Sequence, residues 1–416
     1  MEINRFQLKN GLQILHLPYK EVDSVTLSLK GFAGAVFEKE NEIGVAHFLE
    51  HLVFDGTEKY QTSKKLDDVL DNVGGTSNAG TSKEYVEYWA KTLSQHKKLN
   101  FDYISQIVLH PLLRQKGIDK EKGVIEQEIN RFKDSPEALS PRIAYKILFP
   151  NQRLGHFISG DIEDIMKIDK ENINSFVNRT YNSNNFVLAV CGNIGLEETQ
   201  DLAQSFFSNF KAGKKQTAET PKKSLKQESQ TINKISLNQA TLQLDYYGYD
   251  YNQSKKYALA VLSNIIGTGF SSRLFQLIRE RNSLVYHIGS YLSVGTNYGV
   301  FSIFAGLDEQ NIDKTIDLIN KEFKKIVKNG ITAKELQKAK NTVKASFSFG
   351  FESASTRASY YSNLALFQPN IKSHLEELES YEKVTLDEVK SVAKEILEQM
   401  PKITVIAPNF KKTNQR

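Results

Sequence analysis

Val25-Thr26-Leu27-Ser28-Leu29 alternates apolar and polar residues, and 215 positions later Ala240-Thr241-Leu242-Gln243-Leu244 alternates in the same way. A period of two is the pattern of a half-buried strand. Each stretch is followed by a segment of helical period. Each half of the chain then closes on a helix and a second apolar strand, Asn185-Phe186-Val187-Leu188-Ala189-Val190 in one and Ile403-Thr404-Val405-Ile406 in the other. The helix before the later strand opens with a capping box, Thr385 and Glu388. Matched segments that keep an offset near 215 residues point to a duplicated unit. The expected fold is therefore α+β: two homologous domains, each an antiparallel-rich β-sheet covered by α-helices, joined by a polar linker.

The linker is placed where apolar residues thin out. Between Lys211 and Lys226 stand Lys211, Lys214, Lys215, Lys222, Lys223 and Lys226 against Glu219, with Pro221 among them. The expected division is residues 1–212, a linker at 213–231, and residues 232–416, which suits a 416-residue chain better than one large domain. The basic stretch lacks interleaved aromatics and belongs to no recognisable nucleic-acid module, so it reads as a solvated connection. Much of the net charge of +5 sits there, and no nucleic-acid partner is expected. No apolar run approaches the roughly 18 residues of a membrane span, and no secretory signal is visible at the start. Cys191 is the only cysteine, so an intrachain disulfide and a thiolate metal cluster are both excluded. These features fit a reducing cytoplasm with no membrane partner.

The segment from about Glu42 to Phe54 is expected to be a helix, with Gly56 as its stop. Ile43, Val45, Ala46, Phe48, Leu49, Leu52, Val53 and Phe54 make it apolar nearly all round, which implies burial. His47, Glu50 and His51 interrupt it on one arc of about 100°. Burying three such groups is costly unless something satisfies them, and two histidines four apart are spaced to hold one Zn²⁺. The glutamate between them lies where it could serve a metal-bound water, and the order H-x-x-E-H is a zinc-peptidase signature. The other six histidines are isolated in the sequence. A catalytic zinc site wants a third protein ligand. A second, acidic helix offers Glu121, Glu126 and Glu128, with Asp119 as its expected N-cap. Glu121 and Glu128 are seven apart and share a face, while Glu126 points away from Glu128.

Taken together, these residues resemble the pitrilysin/insulysin family of zinc peptidases, in the short two-domain branch similar to mitochondrial processing peptidase and its bacterial homologues. That family pairs the inverted motif with a downstream glutamate at a characteristic spacing, and here 76 residues separate His51 from Glu128. Phe54-Asp55-Gly56-Thr57 also matches, as does Gly74-Gly75-Thr76-Ser77-Asn78-Ala79-Gly80-Thr81. So do Leu154-Gly155 with Gly160, and Tyr181 followed by the strand that ends in Cys191-Gly192-Asn193. Gly34-Ala35-Val36 departs from the pattern of relatives that carry Gly-Ser-Arg there.

The resemblance implies Zn²⁺ held by His47, His51 and Glu128, with Glu50 as the base and Glu121 as a supporting acid. It implies a second domain without zinc ligands, and Tyr257 to Ile266 indeed contains no His, Asp or Glu. That domain is expected to contribute a substrate-gripping pair, Arg279 and Tyr286, with Arg281 as the competing arginine. Phe54, Ser77, Asn78 and Ala79 are the further substrate contacts implied, the last three on an edge strand to which an extended peptide adds. The implied activity is zinc-dependent cleavage of short unfolded peptides inside a homodimer with composite active sites. Two alternatives stand beside it: an inactive scaffold or partner subunit of a related peptidase, and a dedicated maturase of one peptide product.

Overall fold

The structure, a computed structural model, describes residues 2–224, 228–368 and 370–410. The outer limits expected for the two domains, residues 1 and 416, and linker residues 225–227 with Lys226 lie outside the described residues. In the first half, β1 (Asn4–Gln7), β2 (Gln13–Pro18), β3 (Ser24–Gly31), β4 (Thr76–Thr81), β5 (Val86–Leu93) and β6 (Phe186–Gly192) pair in the order β1-β2-β6-β3-β5-β4. In the second, β7 (Ser229–Asn233), β8 (Ala240–Tyr247), β9 (Val285–Val294), β10 (Gly299–Leu307) and β11 (Lys402–Ala407) pair in the order β7-β11-β8-β10-β9. β2–β6 and β7–β11 are parallel, and the other pairings are antiparallel. Without β1 the two orders are the same, β2 matching β7 and each later strand its counterpart. The duplication is thus visible in connectivity, and the fold is α+β with two mixed sheets packed by helices.

The packing divides the chain less simply than a linear boundary does. One compact unit takes the described residues of Met1–Asn130, His156–Ala218 and Ser348–Ser373. The other takes those of Arg131–Gly155, Glu219–Phe347 and His374–Arg416. Each sheet is therefore covered on one face by a helix from the other half of the sequence. In the first unit, helix Ala354–Phe367 lies on β3 and β6; in the second, helix Pro136–Leu148 lies on β8 and β11. The start of the expected linker is docked rather than free. Asn184 Nδ2 donates to the Gly213 carbonyl (2.7 Å), and Gln216 donates its N–H to Asn185 Oδ1 (3.0 Å). Lys211, Lys214 and Lys215 remain exposed.

This exchange corrects the expectation of half-buried strands. Thr26, Ser28 and Lys30, the polar alternates of β3, are all buried. The covering helix presents polar residues in return. Ser28 Oγ donates to Glu87 (2.6 Å) and lies 2.9 Å from Ser362 Oγ, Thr26 meets Ser355 at 3.2 Å, and Lys30 pairs with Glu87 at 3.2 Å. In the second unit Ser140 donates to Gln243 (2.9 Å), Gln243 to Asp245 (2.8 Å), and Ser302 to Asp245 (2.6 Å). Alternation normally reports one wet face; here a helix covers that face, and hydrogen bonds offset much of the cost of burying its polar groups.

Asp245 has a measurable consequence. Burial pushes its carboxyl up to about 7, against the bonds from Ser302 and Gln243 that favour the charged form. A carboxyl raised on folding contributes most stability below its unfolded pKa, and that contribution is lost as pH rises towards 7. Asp245→Asn removes the ionisation. The variant should gain on the wild type by about 2–3 kcal/mol between pH 5 and pH 8. Urea unfolding at both pH values checks this, and a pH-independent difference contradicts it.

The helix bearing the histidines spans Val45–Leu52, shorter than expected at both ends. Glu40–Glu42 forms a separate turn because the buried Glu42 carboxylate is drawn to Arg179 and Ser175. At the other end Val53–Asp55 tightens into a 3-10 turn before Gly56, whose φ of 135° ends it. The buried Glu38 carboxylate caps the start, accepting from the N–H groups of Gly44 (3.0 Å) and Ala46 (2.9 Å). Among the described residues no helix is long and apolar enough to cross a membrane.

Candidate metal centre

The acidic helix spans Gln115–Asp134, which corrects its expected start. Asp119 is not an N-cap but lies inside the helix and accepts from the Gln115 side chain at 2.9 Å. Gly117 lets this helix approach closely. A Cβ there would lie 2.8 Å from Asp55 Oδ2 and 3.0 Å from Leu52 Cδ1, both at the end of the histidine helix. Two short-range facts, a helical arc and a glycine, thus bring the two acidic and imidazole faces together.

The rings of His47 and His51 stand 4.7 Å apart, centroid to centroid. Glu128 Oε2 lies 3.6 Å from His47 Nε2 and 3.3 Å from His51 Nε2. One ligand atom from each of the three residues falls within 4.8 Å of the others. Zinc bonds of about 2.0–2.1 Å at tetrahedral angles separate ligand atoms by about 3.3 Å. The donor set therefore fits a zinc ion in both spacing and chemistry, two imidazoles and a carboxylate. Glu126 is not part of this group.

Glu121 is buried and its Oε2 lies 3.5 Å from His51 Nδ1, the ring nitrogen facing away from Glu128. A carboxylate in that place fixes ring orientation and raises ligand basicity. Lys120 pairs with Glu121 at 3.0 Å and reaches Asp55 at 3.5 Å. Hydrogen bonding with His51 lowers the Glu121 carboxyl, burial opposes this, and Lys120 adds to it. Burial disfavours a charged His51, yet bonding to Glu121 and Glu128 outweighs it and pushes the ring up to about 9. The site's field favours a cation.

Glu50 projects from the same arc and accepts a hydrogen bond from the Thr81 hydroxyl. Burial raises its carboxyl above the ordinary range, while the Thr81 bond and the nearby His51 pull it down. Thr81 ends β4, so the strand carrying Ser77, Asn78 and Ala79 is anchored to the motif helix. No sequence signal assigned that role to Thr81. β4 is the edge of its sheet and pairs only with β5 among the described residues. Ser77 donates to the Tyr103 hydroxyl at 3.0 Å, Asn78 is exposed, and Asn78 Oδ1 accepts from the Ala79 N–H at 2.9 Å. Phe54 is half-buried in the turn after the motif helix.

Arg279 and Tyr286 belong to the second unit, where they line one cavity of ≈ 350 Å³ with Glu280, Ser283, Leu284, Val285 and Asp308. Arg281 does not line it. The Arg279 guanidinium lies 4.8 Å from the Phe275 ring centroid. A larger cavity of ≈ 860 Å³ in the first unit, between Val108 and Thr217, shares no lining residue with the metal-ligand group.

Known proteins place this geometry in context. Residues 16–161 match the family described as "Insulinase (Peptidase family M16)", and residues 167–343 match "Peptidase M16 inactive domain". The chain is 32% identical over 410 residues to a protein of Rickettsia felis named "Uncharacterized zinc protease", covering 98% of both chains. It is 28% identical over 407 residues to "Uncharacterized zinc protease YmxG" of Bacillus subtilis, again covering 98% of both. In fold it is similar to a crystal structure described as a peptidase M16 inactive domain from Pseudomonas fluorescens. There the TM-score is 0.91 and the identity 21%, over 100% of both chains.

Proposed function

The chain belongs to the M16 (insulinase) family of peptidases, and from that premise we propose that it is a zinc-dependent endopeptidase acting on short, unfolded peptides. The observation that carries this reading is the convergence of His47, His51 and Glu128 around one zinc-sized space, with Glu50 beside them. When bound, zinc supplies Lewis acidity toward a water and a carbonyl. Glu50 takes the water's proton and passes it to the leaving amine, a role suited to a carboxyl raised by burial. Glu121 holds His51 in the ligating tautomer. Arg279 and Tyr286 hydrogen-bond the peptide or its tetrahedral oxyanion. The open edge of β4 at Ser77, Asn78 and Ala79 pairs with the backbone of an extended peptide, beside Phe54. Backbone pairing tolerates many sequences, so length and unfolded shape set specificity.

Turnover of a quenched, unstructured peptide by the purified chain tests the reading. A zinc-loaded chain that cleaves none of a varied panel is a scaffold, and one that cleaves a single sequence is a dedicated maturase. Glu121→Gln should weaken zinc binding by about 10- to 100-fold without abolishing it. Competition with a metal-sensing dye measures this, and unchanged affinity removes Glu121 from the site.

The same reading has the working unit as a cytoplasmic homodimer, each copy's second domain completing the other's zinc site. Its support is the family resemblance, since long members of that family fuse two chains' worth of such domains into one polypeptide. Mixing Glu50→Gln with Arg279→Ala chains should then restore activity, because one of the two sites in each mixed dimer regains both wild-type parts. No recovery despite demonstrated subunit exchange sinks the trans arrangement.

A further inference from the structure

The cavity of ≈ 860 Å³ in the first unit is walled by the ends of two helices, Lys97–Leu109 and Lys170–Thr180, and by residues 209–217, which run into the linker. Composition reads that stretch as a solvated connection, yet its backbone is fastened to the corner at 182–185. The Lys211 carbonyl accepts from the Ser183 N–H (2.9 Å), and the Lys214 carbonyl accepts from Asn182 Nδ2 (3.3 Å) and Gln216 Nε2 (3.3 Å). Gly213 permits the close approach, because a Cβ there would lie 2.7 Å from both Cβ and Cγ of Asn182. The wall is a built part of the unit.

Its charge is one-sided. His110, Arg179, Lys211, Lys214 and Lys215 line the cavity, and no Asp or Glu does. Two of these cations are accounted for by their own surroundings. Arg179 and His110 stand at helix C-termini, where positive charge is favoured, and they meet the carboxylates of Glu42 and Glu58. The three lysines form no ion pair among the described residues, and the Lys215 ammonium lies over the Phe32 ring, 5.6 Å from its centroid. Three unneutralised ammonium groups around one cavity favour an anion with more than one charge. The rest of the lining sets a second condition. Asn178, Asn182, Asn209 and Gln216 bring side-chain amides, and the two helix ends bring partial negative charge, so hydroxyl donors on an occupant are favoured as well. Asn182 is 4% exposed, and its buried Oδ1 has no hydrogen-bond partner among the described residues, an acceptor that a hydroxyl would satisfy. The volume is that of a small-molecule site. We propose that this cavity binds a small hydroxylated organic anion with two or more negative charges, the shared chemistry of sugar phosphates and hydroxy-polycarboxylates, and that the occupant holds residues 211–217 against the first unit.

The proposal is independent of the peptidase reading and is tested by binding. Fructose 1,6-bisphosphate and citrate are titrated calorimetrically against the full chain at about 0.15 M salt, the two probes separating phosphate from carboxylate ligands. At least one should bind with a Kd of about 1–100 µM. Lys211→Gln, Lys214→Gln and Lys215→Gln combined should weaken it by about 100-fold or more, and Lys214→Gln alone by about 10-fold. These side chains are exposed, so the variants should keep the wild-type thermal midpoint without ligand. Probes that keep the charges and lack the hydroxyls, hexane-1,6-diyl bisphosphate and propane-1,2,3-tricarboxylate, should bind about 10-fold more weakly than their counterparts. Saturation should also slow hydrogen exchange at the amides of residues 211–217 by about 10-fold. Undiminished binding in the triple variant would place the anion elsewhere and overturn the proposal. So would sulfate matching both probes at equal ionic strength, equal affinity without hydroxyls, unchanged exchange at 211–217, or no binding of either probe up to about 10 mM.

Discussion

Glu50→Gln is expected to bind zinc like the wild type and to hydrolyse peptides about 10²- to 10⁴-fold more slowly, the usual worth of a positioned base. The reason is geometric. Glu50 shares the arc of His47 and His51, yet its carboxylate is held by Thr81 and is not one of the three clustered donors. Glutamine keeps the shape and the bond from Thr81 but cannot take a proton. Zinc content by mass spectrometry and kcat on a quenched peptide together check this. Retained activity in a metal-replete variant removes Glu50 as the base, and lost zinc means that its carboxylate is a ligand.

Glu128→Gln and Glu126→Gln should behave as opposites. Glu128 brings a carboxylate oxygen to within 3.3 Å of His51 and 3.6 Å of His47, so replacing it removes a charged donor from the centre of the group. Zinc affinity should fall by about 100-fold or more, since even outer partners are worth 10- to 100-fold. Glu126, two residues earlier on the same helix, is outside the group and should leave affinity within about threefold. Competition with a chelator of known strength measures both. The reverse ranking would mean that the ligand helix is rotated from the phase described here.

Local periodicity made much of this fold legible. The strands at Val25 and Ala240 and those before Cys191 and Ala407 follow from alternation and apolar runs, and the capping box at Thr385 and Glu388 forms as read. The arc of His47, Glu50 and His51 is a short-range helical fact. Glu128 is less so: nothing local singles it out from Glu126 except its phase with Glu121, and the spacing shared with a known family carried the choice. What stayed hidden depends on contacts across long stretches of chain. Ser28 and Ser362 are 334 residues apart, so no window on β3 reveals that its polar face is covered. The same holds for Thr81 on Glu50, 31 residues apart, whereas the Glu38 cap is local, six and eight residues from the N–H groups it accepts from, and was hidden because a glutamate so far ahead of a helix is no usual capping signal. Aspartate favours caps, so Asp119 reads as a helix start, whereas the helix begins one turn earlier at Gln115 and packs through Gly117.

The most direct test of the zinc-peptidase account is a titration of one purified sample. The chain is stripped with a chelator, zinc is returned in steps, and bound metal and cleavage of an unstructured quenched peptide are followed together. The account predicts no cleavage in the stripped chain, and activity rising in proportion to bound zinc until one ion per chain is reached. Cleavage that persists without metal, or a chain that fills with one zinc ion and stays inert toward every peptide offered, would contradict it.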